Sequence, residues 1–148
     1  MGNYPPASTI KPILGLAALD EEIVDWKTII QDDGEFYVEG DPRPYRGWKE
    51  DGHGKVDLEK AIVESSDVYF YSTAYDLTIK RLEAFLNKFG FGDKTNIDAE
   101  ESKGLVPNEK WKLGYIGEFW FKGDSINLGI GQGYMLSTPV QISHAIAI

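Results

Sequence analysis

At 148 residues the chain is long enough for one domain that buries roughly 68–70% of its extended surface. Hydrophobic residues make up 42%, which supports a packed core and argues against wholesale disorder. A formal charge of −9 and a pI near 4.7 exclude a nucleic-acid partner gripped through phosphates. The absence of cysteine excludes disulfides, thiolate metal ligands and cysteine nucleophiles. No apolar run reaches the roughly 18 residues needed to cross a bilayer. The sequence opens with Met1-Gly2 just before its most informative stretch and stops inside the apolar run Ile142 to Ile148. It is therefore expected to be a piece of a longer protein.

That first stretch is Pro5-Pro6-Ala7-Ser8-Thr9-Ile10-Lys11-Pro12, followed by the apolar run Ile13 to Leu19. The prolines hold the chain extended and predict a helix from Ser8 to about Leu19, with Ser8 in its first turn. Lys11, three residues on, shares a face with Ser8. A hydroxyl beside an amine is a nucleophile beside its base once the lysine is desolvated, and the positive helix end favours negative charge developing there. Serine at a helix start is equally a plain cap, so the tetrapeptide leaves both readings open.

Further along, Val24 to Ile30 is ambiguous between a short strand and a turn. Phe36-Tyr37-Val38, the turn Gly40-Asp41-Pro42-Arg43-Pro44 and Tyr45-Arg46-Gly47-Trp48 predict a small hairpin, with Gly52-His53-Gly54 as a further loop. Asp57 caps a short helix over Leu58 to Val63. Val68 to Leu77, apolar nearly all round, predicts a buried central helix. Ile79, Leu82, Phe85, Leu86 and Phe89 keep helical spacing up to Gly90. Asp93 to Pro107 reads as loop, Asn108 as the cap of a helix through Leu113, and Thr138-Pro139 as the opening of a final helix.

Ser65-Ser66-Asp67 places a second pair of hydroxyls between two helices, where one serine could simply cap the following helix. Gly129-Ile130-Gly131-Gln132-Gly133 matches neither nucleotide-binding glycine loop and reads as a bend where a side chain would collide. His53 is a lone loop histidine, and His144 is expected to be packed in the last helix. The aromatics Tyr69, Phe70 and Tyr71 are expected in the core, and the acidic clusters Asp20–Glu22 and Asp98–Glu101 in solvent.

In order, Pro-Pro-Ala-Ser-Thr-Ile-Lys-Pro, Ser-Ser-Asp-Val-Tyr-Phe-Tyr and Gly-Ile-Gly-Gln-Gly-Tyr resemble the class B penicillin-binding transpeptidases, most of all the penicillin-binding protein 2 group. The resemblance covers essentially the whole chain, residues 1–148. It implies a mainly α fold with a small β-hairpin, the helical lobe of the transpeptidase fold without its central five-stranded sheet. It also implies an enzyme of cell elongation on the periplasmic face of the inner membrane, held by a membrane anchor. Such an enzyme cross-links peptidoglycan stem peptides through an acyl-serine and is acylated by β-lactam antibiotics. A β-lactam sensor domain and a serine β-lactamase share the first motif and are the alternatives.

Carried over by position, the resemblance implies Ser8 as nucleophile, Lys11 as the partner taking its proton, Ser65 as proton relay and Asp67 where many relatives have Asn. It implies substrate contacts at Gly131, Gln132 and Gly133. The third family motif, Lys-Ser/Thr-Gly, does not occur in this sequence; Lys103-Gly104 lacks the hydroxyl residue between. The chain alone is therefore expected to fold but to have little activity. Some members of the group also carry a zinc site of two Asp, a His and a Cys. Asp32 and His53 match two of those positions, while Gly47 stands at the second Asp and Ser66 at the Cys. Two ligands are too few for Zn²⁺, so neither a tight zinc site nor a cofactor is expected.

Overall fold

The computed structural model describes residues 2–97 and 100–148. Its axis is α3 (Asp67–Lys88), which buries Val68, Tyr69, Phe70, Tyr71, Ala74 and Leu77 in its first half and Ile79, Leu82, Phe85 and Leu86 in its second. The two helical runs read from the sequence are consecutive parts of this element. They are separated at Thr78, whose φ of 63° and ψ of 163° break the helical path. On one side α3 packs against α1 (Lys11–Asp20), which contributes Ile13, Leu14, Ala17 and Ala18; on the other it packs against α5 (Lys122–Leu128). Burial pushes the Tyr69 phenol up to about 12, as expected for a ring wholly inside the core.

The first helix starts later than the sequence predicts. Ala7–Ile10 form a 3₁₀ turn, and the α-helix begins only at Lys11. Pro12 has no N–H to reach back four residues, so the Ser8 carbonyl instead accepts from the Lys11 N–H, three residues on. No side chain caps the turn, and the capping role expected of Ser8 is not observed.

Among the described residues there are two small antiparallel sheets rather than one hairpin. The expected hairpin is present but short: β2 (Glu35–Phe36) pairs with β3 (Tyr45–Arg46), Phe36 opposite Tyr45. The second sheet joins β1 (Ile30–Asp32) to β4 (Gly54–Val56), with Asp32 opposite Gly54, so Gly54 lies in a strand and not in a loop. Its two strands are three residues each and distant in sequence, so neither carries a periodic signal of its own. Gly34 and Gly52, at φ 87° and 68°, let the backbone around Glu50 and Asp32 close up between the sheets.

Caps predicted from sequence are in place on α2 (Leu58–Val63), α4 (Glu109–Tyr115) and α6 (Pro139–Ala147), where Asp57, Asn108 and Thr138 accept from the N–H three residues on. Helix α5 lacks a polar residue at its cap position and was not anticipated. Asp124 closes its first turn by accepting from the Phe121 N–H at 2.8 Å and the Lys112 ammonium at 2.7 Å. Three further expectations are corrected. His144 is exposed, because it sits on the outer face of α6. His53 is buried and paired instead of lying free in a loop. Glu101 is buried, accepting from the N–H groups of Asn96 and Ile97; Asp98 lies outside the described residues.

The glycine-rich turn sits where side chains would collide. A Cβ on Gly129 would lie 2.5 Å from the Ala74 Cβ and 2.6 Å from the Phe70 carbonyl oxygen. Gly129→Ala is expected to lower unfolding free energy by about 1–3 kcal/mol through overpacking between α5 and α3, measured by urea titration.

Candidate active site

Three segments meet at the start of α1. The first is the 3₁₀ turn carrying Ser8, with Lys11 at its end. The second is the 65–67 junction between α2 and α3, and the third is the glycine turn after α5. Lys11 is only 2% exposed, yet its ammonium has three donors and three acceptors around it. These are the Ser65 carbonyl at 2.9 Å, Ser65 Oγ at 3.0 Å and Asp67 Oδ1 at 2.6 Å. The Phe70 ring lies 5.7 Å from Lys11 Nζ. A charge this buried requires such pairing, and the 65–67 junction supplies all of it.

The junction is shaped for this. Ser66, fully buried, caps α3 by accepting from the Tyr69 N–H, so of the two serines it is the one that acts as the cap. Ser65 is held at φ 55°, the left-handed region that non-glycine residues seldom occupy. Asp67, in the first turn of α3, accepts on both oxygens, from Lys11 and from the Trp48 N–H at 2.9 Å. One turn along, burial and then the charge of Asp67 push the Tyr71 phenol up to about 12, so it stays protonated and donates to the Arg46 carbonyl.

Ser8 is exposed on its turn, and Ser8 Oγ has no hydrogen-bond partner among the described residues. On a 3₁₀ turn residues three apart eclipse, which sets Ser8 and Lys11 on one side. Beneath it, Ala7 at φ 50° donates its N–H to the Gly131 carbonyl at 2.9 Å. A Cβ on Gly131 would lie 2.7 Å from the Ala7 nitrogen, so only glycine allows this contact. Gln132 and Gly133 are exposed beside it.

A second buried cluster lies behind the junction. Asp32 Oδ2 accepts from Ser66 Oγ at 2.6 Å and pairs with His53 Nδ1 at 2.7 Å, while Asp32 Oδ1 accepts from the Gly34 N–H. A carboxylate only accepts, so the proton of that pair sits on His53 Nδ1. His53 Nε2 is buried without a hydrogen bond, 3.9 Å from the Glu64 carboxylate. Tetrahedral zinc ligands at 2.0–2.2 Å would stand about 3.3 Å from one another. The contacts here are hydrogen-bond lengths and involve a hydroxyl and no thiolate. These residues do not fit a zinc centre.

Sequence reasoning missed Trp48, whose indole N–H donates to the Ser65 carbonyl at 3.0 Å. Nothing in the sequence flagged it, since the contact spans 17 residues.

The mainly helical fold and this meeting of motifs define a penicillin-binding transpeptidase lobe. The profile of the penicillin binding protein transpeptidase domain matches residues 1–148, and the chain belongs to that family. Within it, the chain is similar to the peptidoglycan D,D-transpeptidase MrdA of Acinetobacter baumannii, 45% identical over 99% of this chain and 22% of that protein. It is also similar to Pseudomonas aeruginosa PBP2 in complex with WCK 5153, with a TM-score of 0.96 and 43% identity over 99% of this chain and 33% of the other. A second similar structure is the PBP2 of a PBP2–MreC complex from Helicobacter pylori, at a TM-score of 0.90 and 39% identity, covering 95% of this chain and 26% of that one. The chain thus spans less than a quarter of the curated relative's length.

Burial works to raise the Asp32 pKa, but hydrogen bonds from Ser66, Gly34 and His53 together outweigh it and hold the carboxyl below its usual range. Its folded pKa being depressed, the stabilisation is present above the unfolded value of about 4 and is lost as pH falls through the folded value. Asp32→Asn is expected to cost about 2 kcal/mol at neutral pH and to flatten the acid side of the stability profile. Urea unfolding from about pH 3 to 7 measures both.

Proposed function

We propose that residues 1–148 are the nucleophile-bearing helical lobe of a peptidoglycan DD-transpeptidase of cell elongation. The observation that carries this reading is the convergence on Lys11 of Ser65 and Asp67, across more than fifty residues of sequence, one turn from an exposed Ser8. An ordinary structural lysine needs acceptors; it does not need an exposed, unpaired serine one turn away along the chain. Similarity to MrdA and to penicillin-binding protein 2 structures supports the same reading.

In this reading Lys11 first loses one proton to solvent, and Ser8 Oγ then attacks the carbonyl of the D-Ala–D-Ala peptide bond while its own proton passes to Lys11 Nζ. The tetrahedral oxyanion is stabilised in part by the Ser8 N–H at the start of the 3₁₀ turn. As the C–N bond breaks, the proton returns from Lys11 through Ser65 Oγ to the departing D-Ala amine, leaving an ester on Ser8. The amine of a second stem peptide then attacks the ester carbonyl, its proton passing by way of Lys11 to Ser8 Oγ as the acyl C–O bond breaks, and the cross-link is complete. A β-lactam follows the same first step, but its leaving amine stays tethered and the ester persists. Asp67 serves as carboxylate, because both of its oxygens accept. Gly131, Gln132 and Gly133 border the substrate, Gly131 by fixing the turn and the other two by their exposed edge.

Among the described residues no helix is long and apolar enough to cross a membrane. Attachment to the inner membrane, a periplasmic setting and contact with the elongation machinery, including a partner of the MreC kind, belong to the longer protein in this proposal.

Labelled penicillin tests the reading. The full-length protein containing this chain is expected to acylate rapidly and stoichiometrically, and Ser8→Ala to abolish labelling. The 148-residue chain, which lacks the Lys-Ser/Thr-Gly motif, is expected to fold yet label at least about a hundredfold more slowly, as for loss of an oxyanion donor. Labelling that survives Ser8→Ala would discard the mechanism.

A further inference from the structure

We propose that Trp48 is a positioning residue for acylation: it holds the two groups that hold Lys11. This inference rests on the transpeptidase reading of Ser8 and Lys11 and goes beyond it.

Trp48 is 65% exposed, so burial of its ring does not explain where it sits. Both of its N–H groups are nevertheless engaged at the junction. The main-chain N–H donates to Asp67 Oδ2 at 2.9 Å, and the indole N–H donates to the Ser65 carbonyl at 3.0 Å. Lys11 donates to the same two groups, to Asp67 Oδ1 at 2.6 Å and to the Ser65 carbonyl at 2.9 Å. One residue therefore braces two of the three acceptors that orient the amine. The Ser65 carbonyl faces Lys11 in the strained φ 55° conformation of its residue, and two donors on that oxygen hold it there. Without the indole, Lys11 alone would keep it in place.

Trp48 is itself held. Gly47, just before it, donates its N–H to the Gly34 carbonyl at 2.8 Å. The indole meets the His53 ring edge-on, with centroids 5.4 Å apart at 63°. His53 in turn is fixed by Asp32, which also takes the hydroxyl of Ser66. The cluster behind the junction thus grips Ser66, while Trp48, resting on the same cluster, grips its two neighbours.

The test uses the full-length protein and a fluorescent penicillin in stopped flow, separating the dissociation constant of the first complex from the acylation rate constant. Trp48→Phe deletes the indole donor and keeps an aromatic ring and the main-chain N–H. Replacing Trp48 with 3-benzothienylalanine deletes only that N–H, so it gives a reading even if the phenylalanine variant folds poorly. Both are expected to lower the acylation rate constant about five- to tenfold, the size of one lost hydrogen bond, with first-complex affinity unchanged within about twofold. An unaltered acylation rate constant, or a loss carried by weaker first binding, would overturn the proposal. Ser8→Ala, run alongside, separates the two levels. If it still labels, the underlying reading has failed; if it is dead while the Trp48 variants acylate normally, only the positioning role has.

Discussion

The ammonium of Lys11 is the constraint around which the rest of this lobe is arranged. It lies in the core side of α1, beside Phe70, where an unpaired charge would be untenable. Its three acceptors come from one short junction of the chain, so α1 and the start of α3 are tied by the same contact that assembles the candidate site. Breaking a buried pair of this kind, by removal of one partner, typically costs about 3–5 kcal/mol. Fold and site are in this sense the same structure: the lysine cannot be relocated without loosening the packing of α1 on α3.

The two strained residues next to the proposed chemistry follow the same logic. Ala7 at φ 50° precedes Ser8, and Ser65 at φ 55° carries the second hydroxyl. Each is over-determined by neighbours, Ala7 by the Gly131 carbonyl beneath it and Ser65 by donors from Lys11 and Trp48. Strain of this sort persists only where surrounding contacts outweigh it, and it gathers where side chains must be aimed. Glycine at 131 belongs to the same device, since any side chain there would drive into the Ala7 backbone.

The cluster of Asp32, His53 and Ser66 ties a neighbouring part of the fold together through buried hydrogen bonds. Asp32 Oδ2 accepts from Ser66 Oγ at 2.6 Å and pairs with His53 Nδ1 at 2.7 Å. Asp32 is then satisfied on both oxygens, and the sheet of β1 and β4 is anchored to the cap of α3.

Much of this was legible along the chain because local rules carried it. The caps at Asp57, Asn108 and Thr138 and the all-round apolar run of α3 are short-range signals, and they hold in three dimensions. Even the late start of α1 is written in the sequence, in the missing N–H of Pro12. The helix α5 had no polar cap to announce it, and β1 and β4 had too few residues to show a period. The sequence by itself determined which residue types were present and which could share a helix turn, because propensity and periodicity act over a few residues. Only the tertiary structure decided that Lys11 faces Ser65 and Asp67, that Trp48 braces both, and that His53 is buried against Asp32. Those contacts span 17 to 56 residues, and they form only when packing around α3 brings the segments together.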